Sequence, residues 1–137
     1  MSQPTSEHPN ARRIRAIVDE VNRTGDNAPL LAIITDDCIN HADGNSPLGG
    51  DHVGAEESLS KFPILYEMSG GTLRLETLDM IADDHFAVWL QRVTAQRNGR
   101  DLDHMLTVIW RFKGDNVVEM WDHFADVDER DRFWLDD

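Results

Sequence analysis

The sequence predicts an α+β fold, in which three N-terminal helices pack on one side of a long, curved antiparallel sheet. Apolar residues recur at helical spacing in the first half of the chain, and residues 71–126 read as four long strands in an unbroken meander. Strands of this length twist and coil around the helices, so we expect a cone-shaped sheet with an internal cavity. With 137 residues, the chain is expected to be one domain spanning residues 1–137.

The first helices are indicated by caps and breakers. Residues 1–5 are expected to form a flexible tail, after which Ser6 can cap a helix that ends at Gly25. Asn27 caps a second, short helix that runs to Asp36 or Asp37.

A short strand, residues 38–42, is predicted next. Residues 43–54 are rich in Gly, Asn, Ser and Pro, which is typical of a loop, and we treat this loop as a candidate lid over a pocket. Residues 55–68 form the third helix, with a kink or interruption near Pro63.

The meander follows, and its turns are the clearest local signals. Asn98-Gly99 accepts the positive φ angles of a type I′ turn and therefore predicts a hairpin. Asp126 or Asp128 begins a final short helix. The four predicted strands are residues 72–81, 86–96, 102–112 and 117–125.

The charge balance excludes two classes of partner. The chain has 26 acidic and 13 basic residues, a formal net charge of −13. Such a chain repels a phosphate backbone, so we expect no nucleic-acid partner. An anionic membrane surface is disfavoured for the same reason.

Cysteine usage and hydropathy indicate a cytoplasmic protein. Cys38 is the single cysteine, so no intrachain disulfide can form, which fits a reducing compartment. We expect this thiol to be a half-buried structural group rather than a nucleophile. No N-terminal signal peptide and no membrane-spanning apolar run is recognisable.

Polar side chains recur on the predicted strands at positions that share a face. Because alternate strand residues point the same way, Arg92 pairs with Thr94 and Trp121 pairs with His123, while His104 lies on the strand between them. We expect all five side chains to point into the cavity. The remaining wall of this pocket is expected to consist of Val88, Leu90, Leu106, Val108 and Trp110.

Two readings stay open for the candidate catalytic groups. His123 and His104 either act as general base and acid on a small substrate, or are hydrogen-bonded cavity residues without chemistry. Arg92 either binds a substrate carboxylate or oxyanion, or forms a structural ion pair. The acids considered as its structural partners are Glu76, Glu119 and Asp122.

The remaining candidate ligand-binding residues lie around the same pocket. His41, on the short first strand, is expected to face it, and Trp110 and Trp121 form either its wall or plain core. The histidines show no local ligand spacing, so no metal site is expected. Trp89 has the opposite parity from Arg92 and is placed on the outer face. That face carries further apolar residues, which favours a homodimer through it.

The ordered set of motifs resembles the nuclear transport factor 2-like superfamily, in its SnoaL-like and ketosteroid isomerase-like branch. The resemblance covers the chain after Ala11 and implies an α+β barrel that acts without a cofactor. It rests on Ile39-Asn40-His41, Pro47-Leu48-Gly49, Gly70-Gly71-Thr72-Leu73, Arg92-Val93-Thr94, Trp121 to Asp126, and Phe133-Trp134.

Departures from that family limit what the resemblance implies. Limonene-epoxide hydrolases use an Arg-x-Asp and a Trp-x-Asp, but Thr94 and His123 replace both carboxylates here, so that mechanism is not expected. Ketosteroid isomerases need a Tyr/Asp oxyanion pair, and Tyr66 is the single tyrosine. SnoaL-type polyketide cyclases use an Asp near the end of the last strand with a His, roles that resemblance gives to Asp126 with His104 or His123.

Two functions are therefore expected from the sequence. The first is a cofactor-independent isomerase, cyclase or hydratase/hydrolase that acts on a small hydrophobic organic molecule by acid–base chemistry. The second is a non-catalytic ligand-binding or dimeric assembly module of the same fold, which would release its ligand unchanged.

Overall fold

The computed structural model describes residues 3–137, where the helices flank a single six-stranded sheet. The predicted tail residues 1 and 2 lie outside the described residues, whereas Thr5 pairs with Ala82 in an isolated antiparallel bridge. The described helices are α1 (Pro9–Thr24), α2 (Ala28–Leu31), α3 (Ala55–Leu59), α4 (Lys61–Met68) and α5 (Val127–Leu135). The strands are β1 (Ile34–Ala42), β2 (Gly50–Val53), β3 (Arg74–Ala82), β4 (Phe86–Arg97), β5 (Arg100–Lys113) and β6 (Asn116–Phe124).

The predicted α+β architecture is confirmed, with one difference in the sheet. The strand order is β2-β1-β6-β5-β4-β3, and all neighbours are antiparallel except β1 and β6, which are parallel. The expectation of a wholly antiparallel sheet is therefore wrong at this pair. Residues 50–53 of the predicted loop form the edge strand β2. The β1–β6 pairing joins segments that are far apart in the sequence, and the β1–β2 pairing involves a Gly-rich segment without clear alternation. Local periodicity predicts neither of them.

The β4–β5 hairpin forms as the turn residues predict. Asn98 and Gly99 have φ angles of 53° and 73°, and Arg97 pairs with Arg100 directly beside the turn. The two positive φ values are those of a type I′ turn, whose twist matches that of the flanking strands. The hairpin fixes the register along both strands, and this register decides which side chains share a face.

The helices differ from their predicted bounds for local reasons. Helix α1 begins at Pro9 with His8, rather than Ser6, as its N-cap, and α2 ends at Leu31 because β1 already begins at Ile34. The predicted third helix is divided at Ser60 rather than at Pro63. That proline lies in the first turn of α4, where it removes no helical hydrogen bond.

The core lies between the concave face of the sheet and the helices. Helix α1 buries Ala11, Ile14 and Val18 in one apolar cluster with residues of the sheet. Helix α5 buries Phe133 and Trp134 in a second cluster over the other end of β4 and β5. In residues 3–137, no helix combines the length and apolar character needed to cross a membrane.

Candidate functional site

A cavity of about 190 Å³ lies between the concave face of the sheet and the helices. Most of its wall is apolar, and members of both core clusters contribute to it. Such a wall gives a buried ligand apolar contact, while a few polar groups set its orientation. The apolar lining includes Leu30, Leu59, Phe62, Leu65, Trp89, Val93, Leu106, Val108, Trp110, Met120, Phe124 and Trp134.

Asp122 supplies the carboxyl group of this cavity. It lies on β6 between the inward positions Met120 and Phe124, and its Oδ1 is 3.5 Å from Nδ2 of Asn40 on β1. Burial raises the pKa of Asp122 to about 6, partly opposed by the hydrogen bond from Asn40. Removal from water disfavours the ionised form, and the positive charges of His123 and Arg130 oppose this effect without outweighing it. Asp122 can therefore gain and lose a proton near neutral pH.

Three further polar atoms in the cavity wall are buried without a hydrogen-bond partner in residues 3–137. They are His52 Nε2, Trp110 Nε1 and Gln91 Oε1. Buried polar groups in folded proteins are nearly always paired, so unpaired groups that share one cavity are candidates for contacts to a ligand.

The strand register places Asp122 beside the row of residues that contains His52 and Trp110. His52, Asn40, Met120 and Trp110 occupy one row across β2, β1, β6 and β5. Asp122 lies one inward position along β6 from this row, diagonal to Trp110 on the adjacent strand. Diagonal neighbours of this kind have Cα atoms about 7–8 Å apart, and both residues line the cavity, so one small ligand can contact both.

Arg130 of α5 ties the loop of residues 43–49 to the rim of this cavity. Only 2% of the residue is exposed, and its guanidinium donates to the Asp43 carbonyl oxygen at 2.7 Å and to Asp131 Oδ1 at 3.0 Å. It also lies over the ring of Phe124, 4.6 Å from the centroid. Residues 43–49 of the predicted lid loop are thus fastened to α5 by this buried cation and by Ser46 Oγ, which donates to Asp131 Oδ1 at 2.8 Å.

Arg92 and Thr94 lie on the outer face of β4, so the prediction that they point into the cavity is wrong. Their cross-strand neighbours Met105 and Asp103 are on the same outer face. The Arg92 guanidinium forms a two-point ion pair with Asp103, at 2.6 Å and 2.9 Å, and half of its side chain is exposed. This contact holds the pKa of Asp103 below its usual range. The arginine therefore has a structural partner, although not one of the three considered.

Trp121, His123 and His41 also lie on the outer face, contrary to prediction. His123 Nδ1 is 3.1 Å from Asp43 Oδ1, and about half of its side chain is exposed. His41 stacks on Trp121, with ring centroids 5.6 Å apart. Hydrogen bonds from His41 to Glu119 and to Asp51 raise the pKa of its imidazole. These groups form an outer polar network rather than a cavity wall.

His104, Asp126 and Trp110 have three separate environments. His104 points inward as expected, but it is buried near Glu129 of α5, and the cavity wall does not include it. Burial lowers the pKa of this imidazole. Asp126 caps α5 by accepting from the Glu129 N–H at 2.9 Å. Trp110 lines the cavity as predicted, and Trp89, expected outside, lies beside it.

The alternation of side chains was predicted correctly along β4 and β6, but the inner and outer faces were exchanged. Alternation shows which residues share a face, but both faces of β4 carry apolar residues, so the pattern does not show which face is inward. Val88 and Leu90 lie outside, whereas Trp89 and Val93 lie inside. Asp122 is a cavity residue that the prediction did not include. The sequence contains one indication of it, because this acid alternates with the large apolar residues Met120 and Phe124 on the last strand.

Within residues 3–137, no group of His, Cys, Asp and Glu side chains is arranged to hold a metal ion. Cys38 is buried, and burial raises the pKa of its thiol to about 11, which keeps it protonated. The chemistry that the cavity itself can supply is therefore acid–base chemistry through Asp122, with hydrogen bonds from its neutral polar neighbours.

Solved structures with this fold include one relative of substantial identity. Bal32a, from a soil-derived mobile gene cassette, is 30% identical, with 91% of this chain and 95% of Bal32a covered and a TM-score of 0.80. An NTF2-like protein of unknown function from Burkholderia pseudomallei is 26% identical, with 92% and 97% covered and a TM-score of 0.72. IdmH from Streptomyces antibioticus, a putative polyketide cyclase, is 17% identical, with 88% and 94% covered and a TM-score of 0.67. No family model and no curated protein matches the chain.

Proposed function

The chain belongs to the nuclear transport factor 2-like superfamily, with the fold of its SnoaL-like branch, and on this premise we propose that it is a cofactor-independent acid–base enzyme. Its substrate is a small apolar ketone, and its reaction is proton transfer at the carbon next to the carbonyl. The observation that carries this proposal is the carboxyl group of Asp122 inside an apolar cavity, with its pKa raised by burial to about 6.

The proposed step uses Asp122 as the base. Its carboxylate takes a proton from the carbon adjacent to the ketone, and the electron pair moves to the carbonyl oxygen to give an enolate. In a β,γ-unsaturated ketone the enolate is conjugated, and return of the proton from Asp122 to the γ-carbon completes an isomerisation. Where the enolate carbon instead attacks a second carbonyl, a carbon–carbon bond forms, and the resulting alkoxide takes the proton from Asp122 to complete a cyclisation. A base with a pKa near the working pH is suited to both the forward and the return transfer.

Neutral donors beside Asp122 support the enolate. Trp110 Nε1 is a buried N–H without a partner, on the strand adjacent to Asp122. A donor held in an apolar cavity stabilises a developing oxyanion more strongly than the same donor in water. His52 Nε2 lies in the same row as Trp110 and provides a second contact. IdmH, named as a putative polyketide cyclase, has the same fold, which is in keeping with the cyclisation branch of this proposal.

The proposal predicts that the protein catalyses exchange of the carbon-bound protons of 2-tetralone for deuterium. This bicyclic ketone is small and apolar, and exchange in D2O can be followed by proton NMR at pH 7 above the buffer rate. Asp122→Asn should lower the protein-catalysed rate by about 100-fold or more, as expected for loss of a general base.

Matched control variants lie on the outer face. Asp103→Asn makes the same substitution on the neighbouring strand, and Arg92→Ala removes its ion-pair partner, so both should retain the wild-type exchange rate. Full activity in Asp122→Asn would contradict the proposal. Binding of 2-tetralone without any exchange would favour the alternative function, a non-catalytic ligand-binding module.

We further propose that the outer face of the sheet packs against a second copy of the chain, in the cytoplasm. Met105 and Phe86 on this face are 44% and 41% exposed in the single chain. Partly exposed apolar residues connect them across the face, namely Val88, Leu90, Ile109 and Trp121. Contiguous apolar surface of this kind favours an isologous, two-fold contact.

The dimer is tested by molar mass in solution. Light scattering on the wild type should give about twice the 15.6 kDa of the chain. Ile109→Glu places a charge at the centre of the proposed contact and should give the monomer mass. Glu56→Gln, at an exposed position of α3, should leave the mass unchanged. A wild type that is monomeric at high concentration would contradict the proposal.

A further inference from the structure

Gln91 is a buried amide in the cavity wall for which the fold supplies no partner. It lies on the inner face of β4 with 1% of its surface exposed, and Oε1 has no hydrogen-bond partner in residues 3–137. A buried acceptor left unpaired destabilises a fold, and an apolar side chain of the same size would not carry that cost. Its position in the wall of a cavity indicates that a ligand completes the pairing.

The surroundings of Gln91 contain no protein group that takes this role. Leu106 lies directly across from it on β5, and Phe124 follows in the same row on β6. The inward neighbours on its own strand, Trp89 and Val93, are large apolar residues. The indole N–H of Trp89 is engaged elsewhere, since it donates to Thr77 Oγ1 at 2.9 Å. Thr77 lies across from Gln91 on β3, but its hydroxyl accepts this indole N–H and forms no hydrogen bond with Gln91 in residues 3–137.

Its distance from Asp122 defines the spacing of the two polar points. Asp122 shares a row with Val108 and Trp89, and Gln91 is the next inward residue after Trp89 on β4. The two residues are thus separated by two strand spacings and by two residues along the strand, about 12 Å between Cα atoms. Both residues line the cavity, so one elongated ligand can contact both of them.

We propose that Gln91 is a substrate-anchoring residue, which accepts a hydrogen bond from a hydroxyl group at the end of the substrate remote from the reacting carbonyl. The substrate class is a ketone with an apolar frame of at least two fused rings and a hydroxyl on its far ring. The assignment of the carbonyl end to Asp122 rests on the proposed function, whereas the hydroxyl end rests on Gln91 alone.

Calorimetric titration with three probes tests this assignment: 2-tetralone, 6-hydroxy-2-tetralone and 6-methoxy-2-tetralone. The hydroxyl of the second probe lies across the ring frame from the ketone, and the methoxy group of the third cannot donate. Wild-type protein should bind the hydroxy ketone about 10-fold more tightly than either of the others, the ratio expected for one buried hydrogen bond. Gln91→Met keeps the volume of the side chain and removes the amide, and should reduce this preference to about one.

The melting temperature of Gln91→Met and the binding preference of Asp122→Asn distinguish the role of Gln91 from that of Asp122. Gln91→Met should raise the melting temperature of the unliganded protein by about 4 °C, because an unpaired buried amide is removed. Asp122→Asn should keep the hydroxyl preference even where it abolishes deuterium exchange, so that loss of exchange alone counts against the base and not against Gln91. Equal affinity of the wild type for the three probes, no binding of any of them, or a hydroxyl preference that survives in Gln91→Met would each overturn the assignment.

Discussion

Asp122→Asn should stabilise the folded protein by about 3 kcal/mol at pH 8 and by little at pH 4. The folded pKa of Asp122, about 6, lies above the usual value of 3.8. Each unit of such a shift corresponds to about 1.4 kcal/mol, so the ionised carboxylate destabilises the fold by about 3 kcal/mol at pH values above 6. This cost disappears as the pH falls through 6 towards 4, because the folded state then binds the proton first. Asparagine never carries the charge.

The charged groups near Asp122 shift its pKa in both directions. Asp43 raises its pKa, whereas His123 and Arg130 lower it, and burial outweighs all three. Urea unfolding of both proteins at pH 4 and pH 8, at a fixed protein concentration, measures the difference. Asp101→Asn, an exposed acid on β5, is the matched control and should change stability by less than about 0.5 kcal/mol at either pH. A gain that is equal at both pH values would show that the charge is not its cause.

Stabilisation by loss of a catalytic group is expected where function requires an unfavourable arrangement. A carboxylate in an apolar cavity is such an arrangement, because water would solvate the charge better than this wall does. Asp122→Asn should therefore improve stability and remove proton transfer in one substitution, the trade-off seen when active-site groups are replaced by neutral ones.

Arg130→Met should destabilise the protein by about 3 kcal/mol, which corresponds to a fall of about 10 °C in melting temperature. The guanidinium is buried and donates to the Asp43 carbonyl oxygen and to Asp131, and it covers the ring of Phe124. Methionine keeps much of the side-chain length but leaves the Asp43 carbonyl oxygen without its Arg130 donor. The loop of residues 43–49 should therefore be held less firmly to α5, although Ser46 Oγ still donates to Asp131 Oδ1 at 2.8 Å.

Thermal unfolding and hydrogen exchange measure the two consequences of Arg130→Met. Amide exchange in residues 43–49 should accelerate more than in the β4–β5 hairpin, because the lost contacts belong to the loop. Arg132→Met, the same substitution at an exposed position of α5, is the control and should stay within about 0.5 kcal/mol of the wild type. A small and equal effect of both substitutions would mean that Arg130 does not fasten the loop.

Local patterns predicted most of the sheet, whereas distant pairings were beyond them. The strand expected at 86–96 is β4, and the Asn98-Gly99 turn has the two positive φ values that its residues favour. The parallel contact of β1 with β6 joins segments about 80 residues apart, and nothing in either segment specifies its partner. For the same reason the local pattern predicts a helix up to Asp36 or Asp37, although β1 already begins at Ile34.

The cavity residues were likewise predictable only in part, because local alternation groups residues by face but does not show which face points inward. Alternation correctly grouped Arg92 with Thr94 and Trp121 with His123, yet each pair lies on the outer face. A sheet with apolar residues on both faces does not reveal its inward side through hydrophobicity alone. The strand register identifies the inner face and therefore the polar groups that line the cavity. Their neighbours on this face are almost all apolar.

Titration of the Asp122 carboxyl carbon by NMR is the most direct test of the proposed chemistry. Protein labelled with carbon-13 at aspartate side chains, compared with Asp122→Asn for assignment, gives the midpoint for this one group. A midpoint near pH 6 is expected for a carboxyl that is enclosed by an apolar cavity and poised to exchange protons at neutral pH. A midpoint near 4 would mean that water reaches the group freely, and would contradict its role as the buried base.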